Sequence, residues 1–354
     1  MQNEDAKHSW KSLISGLFIF SILVIMLLIL FKNHSIDEIR TLFLSLNIKW
    51  LLAAIVCVLL SYLAEMMCYY EITRKIYGRA SLRTAFRVTM AGVYFNSVTP
   101  FACGGEPFQI GYMMKDGIPM GSCANVIMVK STIFQSAVFF SSILSFALNA
   151  KSLYRMVGNF NLFFAIGVSI NLAVVLFFLL FLINKNTARK VVNFVFKLLG
   201  KCHIIKNPEK FAQKKEEGIE CFINASQLIF SDPGVIIKSF LYQLLNLILG
   251  YIVPFFLLLS LEGKCGPVVD IITSQAILRQ ITAYIPSPGA AGGAEGIGYF
   301  FFKNLFTNVP VVSVILIWRI ITYYFNVAFS GLYLLLIKDK EMVENTKQIR
   351  RKAA

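Results

Sequence analysis

Runs of apolar residues too long for a soluble core recur along this chain and constrain it more than any other feature. Leu13–Phe31, Trp50–Tyr70, Ser122–Ala150, Asn161–Ile183, Val235–Leu261 and Val311–Ile337 each approach or exceed the roughly 20 residues that cross a ~30 Å hydrocarbon layer. A bilayer leaves no water for backbone N–H and C=O groups, so such runs must be helices that satisfy themselves. Composition agrees: 57% of the 354 residues are hydrophobic and 15% are charged, where soluble domains carry about 25% charge. The expectation is an all-α integral membrane protein, one polytopic domain over residues 1–354.

Charge placement orients it. The formal net charge is +15, but the basic residues lie in loops between apolar runs, without the aromatic interleaving of a nucleic-acid surface. Placing Lys7 and Lys11 in the cytoplasm puts 23 of the 34 Lys and Arg on that side and 7 outside, the bias that sets topology. Both termini are then cytoplasmic, and the basic loops face the anionic inner leaflet of a bacterial cell membrane. The largest loop, residues 184–233, is expected to join the two halves, with Val191–Leu199 as a basic amphipathic helix on that leaflet. The tail 338–354 is basic too. Leu13–Phe31 lacks a small-residue cleavage site and is read as a retained span.

Two further apolar segments are too short. Thr84–Ser97, of 14 residues, reaches about 21 Å as a helix and runs into Thr99-Pro100-x-x-x-Gly104-Gly105-Glu106. Ile271–Ile285 runs into Ser287-Pro288-x-x-x-Gly292-Gly293-x-Glu295, after which Ile297–Phe306 resumes. Proline removes a backbone donor and paired glycines favour non-helical backbone. Each motif therefore breaks a helix inside the membrane, tolerated only where protein or a watery cavity receives the freed groups. The topology enters one break from each face. About six full spans plus two broken, re-entrant hairpins arranged as inverted repeats are expected, with a polar site near the midplane.

Ionisable residues in apolar segments mark functional positions, because each is costly there. Glu65, Glu106, Lys130, Arg279, Glu295 and Arg319 are of this kind. Opposite charges can pair, Glu106 with Lys130 or Arg279 and Glu295 with Arg319, and such pairs can also serve only to hold helices together. Glu65, near the interface, is assigned that role. Asn96, Gln109 and Gln280 flank the breaks and complete the candidate set. The three histidines are scattered, no C-x-x-C spacing occurs among the seven cysteines, and no metal or cofactor is expected.

The stretch Tyr94-Phe-Asn96-Ser-Val-Thr-Pro100-Phe-Ala-Cys-Gly-Gly105-Glu-Pro-Phe-Gln109-Ile-Gly-Tyr112 resembles the first signature of the lysylphosphatidylglycerol synthase transmembrane-region family. Ile285-Pro-Ser-Pro288-Gly-Ala-Ala-Gly-Gly293-Ala-Glu295-Gly and Trp318-Arg319-Ile-Ile-Thr322-Tyr323 are similar to its later ones. The resemblance covers nearly the whole chain. It implies a lipid translocase, with Asn96, Thr99, Pro100, Gly104, Gly105, Glu106, Gln109, Lys130, Arg279, Gln280, Ser287, Pro288, Gly292, Gly293, Glu295 and Arg319 around an anionic or aminoacylated phospholipid headgroup. Lysyl-phosphatidylglycerol is the first candidate. The alternative is a phosphatidylglycerol lysyltransferase or its membrane subunit, but no cytoplasmic segment here is long enough for the soluble transferase domain of bifunctional members. A third reading is a membrane partner that docks a separate soluble synthase through residues 184–233. A homodimer is a further candidate assembly.

Overall fold

The computed structural model describes residues 44 and 46–337, apart from 159, 185, 188, 191–207 and 264–266. The described regular structure is helical, without strands. Helix α1 (Ile48–Tyr77) is followed by α2 (Leu82–Val98), a 3-10 turn (Pro100–Ala102) and α3 (Gly105–Lys115). Then come α4 (Met120–Val157), α5 (Asn161–Ile183), α6 (Pro208–Phe230), α7 (Pro233–Tyr251) and α8 (Val253–Glu262). Helix α9 (Val268–Thr282), a second 3-10 turn (Pro288–Ala290) and α10 (Gly293–Leu305) precede α11 (Val311–Ile337), which contains a π turn at Ile320–Tyr324.

Five stretches are long and apolar enough to span: α1, α4, α5, α7 with α8, and α11. Each covers one of the expected runs. Helix α7 stops where Pro254 cannot donate to the ladder, and α8 restarts at Val253 with that proline in its first turn. The expected first span Leu13–Phe31, the amphipathic segment Val191–Leu199 and the tail 338–354 lie outside the described residues. Helix α6 fills the second half of the polar stretch 184–233. Its buried residues Ile219, Phe222, Ser226 and Ile229 form one stripe at helical spacing, which the charges between them hide from a hydropathy average.

Polar contacts tie the ends of the bundle. At one end, Lys75 meets Asp232 at 2.8 Å and Lys238 meets Glu71 at 2.6 Å, joining α1 to α7. Asp232 also caps α7 by accepting from the Val235 N–H, and the Lys75 hydrogen bond holds its carboxyl below the usual range. Tyr77 donates to the Gly117 carbonyl at 3.2 Å, and Asn125 donates to the Phe222 carbonyl at 3.0 Å. At the other end, the Asn47 N–H donates to the Ser260 carbonyl at 3.1 Å. There Asn304 donates to the Met156 carbonyl and the Asn308 N–H to Glu262, both at 2.8 Å.

The α2–α3 hairpin is rooted at the first end, beside Gly117. The α9–α10 hairpin is rooted at the second, near Asn308. Their 3-10 turns touch each other. Helix α5 flanks the bundle and turns Leu162, Phe163, Ile166 and Phe177 outward, as a lipid-facing helix must.

Lipid is as apolar as leucine, so contacts between helices depend on close packing and hydrogen bonds. Gly121 shows this: a Cβ there would stand 2.2 Å from the Gly218 carbonyl oxygen of α6. Gly121→Val is expected to pry α6 from α4 and cost about 1–3 kcal/mol, read as a lower melting temperature in detergent. Gly111→Ala, where a Cβ meets nothing within 4 Å, is expected to leave the melt unchanged.

Candidate functional site: two helix breaks that meet

The two motifs adopt the same backbone path over their first four residues, 99–102 and 287–290. Thr99 (φ −108°, ψ 148°) and Ser287 (φ −134°, ψ 149°) are extended, as residues before proline are driven to be. The two residues after each proline are then left-handed: Phe101 and Ala102 with φ of 57° and 50°, Gly289 and Ala290 with φ of 59° and 54°. Three of these four are not glycine, at a cost of roughly 1–2 kcal/mol each, so surrounding contacts enforce the turn. The paths separate at Cys103 (φ −114°, ψ 5°) and Ala291 (φ −56°, ψ 140°) and stay apart at Gly104 (φ −84°) and Gly292 (φ 86°), where the second motif accommodates one more residue before its carboxylate.

Side chains receive the freed backbone. Thr99 Oγ1 accepts from the Gly104 N–H at 3.0 Å and donates to the Phe95 carbonyl at 2.7 Å. Asn96 Oδ1 accepts from the Gly105 N–H at 2.6 Å. In the second break Ser287 donates to the Ala291 carbonyl at 2.9 Å, and Glu295 Oε2 accepts from the Gly292 N–H at 2.7 Å. The paired glycines let these groups approach. A Cβ on Gly105 would come within 2.5 Å of Asn96 Oδ1, and one on Gly293 within 1.9 Å of Ile285 Cδ1.

The expected pair of Glu295 with Arg319 forms, Nε to Oε1 at 2.6 Å. Arg319 also donates to the Gly289 carbonyl at 3.0 Å and lies between the rings of Trp318 and Tyr323. Tyr323 links the two breaks: its ring covers Gly289 and its hydroxyl donates to the Ser97 carbonyl at 3.1 Å. The π turn at Ile320–Tyr324 is a local widening of a kind often found at functional sites. Tyr323 falls within the stretch that carries the family resemblance, but no charge or helix break marks it, so it was not among the candidate residues.

The expected pairing of Glu106 with Lys130 or Arg279 is corrected. Lys130 forms its salt bridge with Glu65, because α4 turns that face toward α1, and Glu106, at the start of α3, takes no part in it. Arg279 is exposed in the last turn of α9, its guanidinium 5.6 Å from the Phe134 ring centre. Glu106 Oε2 is buried without a hydrogen-bond partner, a position that calls for a cationic or hydroxylic group.

Gln109 and Gln280 sit between helices. Gln109 donates to the Tyr69 hydroxyl at 2.8 Å and the Val88 carbonyl at 3.0 Å, and Gln280 accepts from Ser142 at 3.3 Å. The structure thus gathers Asn96, Thr99, Pro100, Gly104, Gly105 and Glu106 with Ser287, Pro288, Gly292, Gly293, Glu295 and Arg319. It holds Gln109, Gln280 and Lys130 in the surrounding interfaces. Around the junction Phe101, Cys103, Pro288, Ala291 and Gly292 are exposed. Among the described residues, no cluster of three or more His, Cys, Asp or Glu is placed to hold a metal.

Several apolar spans define a multi-pass membrane protein, in which two interrupted helices meet at their breaks. The family model for the lysylphosphatidylglycerol synthase TM region matches residues 12–330, and the chain belongs to that family. It is similar to a UPF0104 membrane protein of Archaeoglobus fulgidus, 26% identical over 271 residues, 74% of this chain and 79% of that one. It is also similar to an uncharacterized protein of Mycoplasma genitalium, 20% identical over 347 residues, 90% and 86% of the two chains.

Two measurements probe the junction. With Cys103 as the sole cysteine, a water-soluble maleimide is expected to label it in native membranes; no labelling until denaturation would mean that lipid or protein seals the first break. Arg319→Leu is expected to cost on the order of 2–3 kcal/mol, at or below the low end of the ~3–5 kcal/mol for breaking a buried pair, because the Glu295 side chain is 38% exposed. Detergent melting reads the loss.

Proposed function

We propose that this chain is a phospholipid translocase. The two hairpins act as inverted repeats within one polytopic domain, and the junction of their breaks receives a headgroup while the acyl chains stay in lipid. The end of the bundle that carries Arg74, Lys75, Arg79 and Arg83 faces the cytoplasm of a bacterial cell.

The buried, unpartnered Glu106 carboxylate oxygen beside the open junction carries this reading. It supplies negative charge for an aminoacyl ammonium, since Glu295 is held by Arg319 and the Gly292 N–H. Arg279, exposed in the last turn before the second break, supplies a cation for the phosphodiester. An aminoacylated phosphatidylglycerol carries both charges and is the substrate class that fits best; an anionic phospholipid needs Arg279 alone. The family likeness supports a lipid substrate.

Reconstitution into liposomes tests it. The wild-type chain is expected to speed leaflet exchange of labelled lysyl-phosphatidylglycerol or phosphatidylglycerol. With lysyl-phosphatidylglycerol, Glu106→Gln and Arg279→Gln are each expected to slow it at least about tenfold, the loss of roughly 1.4 kcal/mol or more of headgroup stabilisation, and with phosphatidylglycerol Arg279→Gln alone, all with unchanged melting temperatures. Failure of the wild type to move any phospholipid would overturn the proposal.

A further inference from the structure

The ion pair that the junction does not use is the least expected feature of the interior. Glu65 lies 12 residues from the Tyr77 end of α1, and Lys130 lies 10 residues from the Met120 end of α4. At 1.5 Å per residue both lie about 15–18 Å from those helix ends, inside the apolar runs Trp50–Tyr70 and Ser122–Ala150. Their side chains are 15% and 10% exposed. Charges so placed are costly and mark function by default.

Their surroundings are polar beyond what the pair needs. Asn246 of α7 donates to Glu65 Oε2 at 3.4 Å. One and two turns earlier on α7, Gln243 and Ser239 lie against the Cys68 thiol of α1. Both Gln243 amide atoms and Ser239 Oγ are buried without hydrogen-bond partners. Purely structural pairs are usually satisfied on all sides.

Two aromatic rings lie beside the pair. The Lys130 ammonium stands 5.1 Å from the ring centres of both Tyr69 and Phe134. Tyr69 walls a cavity of about 280 Å³ at the first end, with Tyr77, Arg79, Thr84 and Asp116 also lining it. Phe134 carries the Arg279 guanidinium as well. Lys130 thus shares the Tyr69 ring with the lining of a polar cavity, and the Phe134 ring with the cation near the second break.

Resting on the translocase reading, we propose that the Glu65–Lys130 pair is a proton-coupling centre, in which Glu65 takes up a proton when an anionic phospholipid headgroup replaces it as the partner of Lys130. The proton comes from water at the first end and adds to a Glu65 carboxylate oxygen. Lys130 keeps its own protons, and no other bond changes. Protonating Glu65 alone would strand a buried ammonium, and admitting the anion alone would bury two negative charges against one positive. Each event makes the other cheaper, which is the condition for coupling. A metal cation is disfavoured because Lys130 repels it. The other titratable or charged groups facing Glu65 and Lys130 are Tyr62, Cys68 and Tyr69 of α1, with Arg279 of α9 across the Phe134 ring. Glu71 and Lys238 are paired with each other nearer the first end.

Proton uptake on binding tests this in the full chain. Dioctanoyl-phosphatidylglycerol is added to the detergent-solubilised protein in weakly buffered solution with a pH indicator. The wild type is expected to take up about one proton per lipid bound, and zwitterionic dioctanoyl-phosphatidylcholine to cause none. Glu65→Gln is expected to bind phosphatidylglycerol without uptake, and Glu65→Asp to restore uptake, which separates a lost proton site from a damaged fold. Binding to the wild type without uptake, undiminished uptake in Glu65→Gln, or no binding of phosphatidylglycerol each overturns the proposal. Proton-linked binding with no movement in liposomes would sink the translocase reading alone. Movement of lipid without proton linkage would sink the coupling centre alone.

Discussion

Every backbone amide and carbonyl that enters a bilayer must find its partner inside the protein, because the solvent offers none. Unbroken helices meet this condition by themselves. The two breaks cannot, and much of the interior serves them. Thr99 and Asn96 take up amides at the start of α3, Glu295 takes up the amide of Gly292, and Arg319 and Ser287 receive the carbonyls of Gly289 and Ala291. The residues that read as a ligand set are thus also the residues that make a broken helix permissible. Binding and folding draw on the same side chains here, and Glu106 stands apart because its Oε2 has no backbone duty.

The same constraint explains how the helices hold together. Between apolar surfaces in lipid, packing alone discriminates weakly, so polar contacts specify the neighbours. Helix α1 is registered against α7 by Lys75–Asp232 and Lys238–Glu71, and against α4 by Glu65–Lys130. Helix α4 is registered against α6 by Asn125 and by the close approach at Gly121.

Much of this was legible before any coordinates. Length and apolarity mark the five described spans, because a bilayer reads a chain by those properties. The breaks were legible as well, since proline and paired glycines act locally. What escaped is tertiary. The stripe on α6 is diluted by its own charges. The partner of Lys130 depends on which face α4 turns to α1, and hydropathy carries no information about rotation. The left-handed turn at Phe101 and Ala102 has no residue signature, because neither is glycine. The bond from Tyr323 to Ser97 crosses 226 residues of chain.

The tip-to-tip hairpins have an electrical consequence. Where a continuous helix crosses, the membrane potential falls over about 30 Å of hydrocarbon. On the translocase reading, two hairpins that meet tip to tip, with Pro288, Ala291 and Gly292 exposed around the joint, thin the insulating layer to the joint itself. A charge carried across that short gap feels most of the voltage, worth about 2.3 kcal/mol per elementary charge at 100 mV. A translocase built this way focuses the field at the junction, and the net charge of its cargo sets how strongly the membrane potential favours one direction.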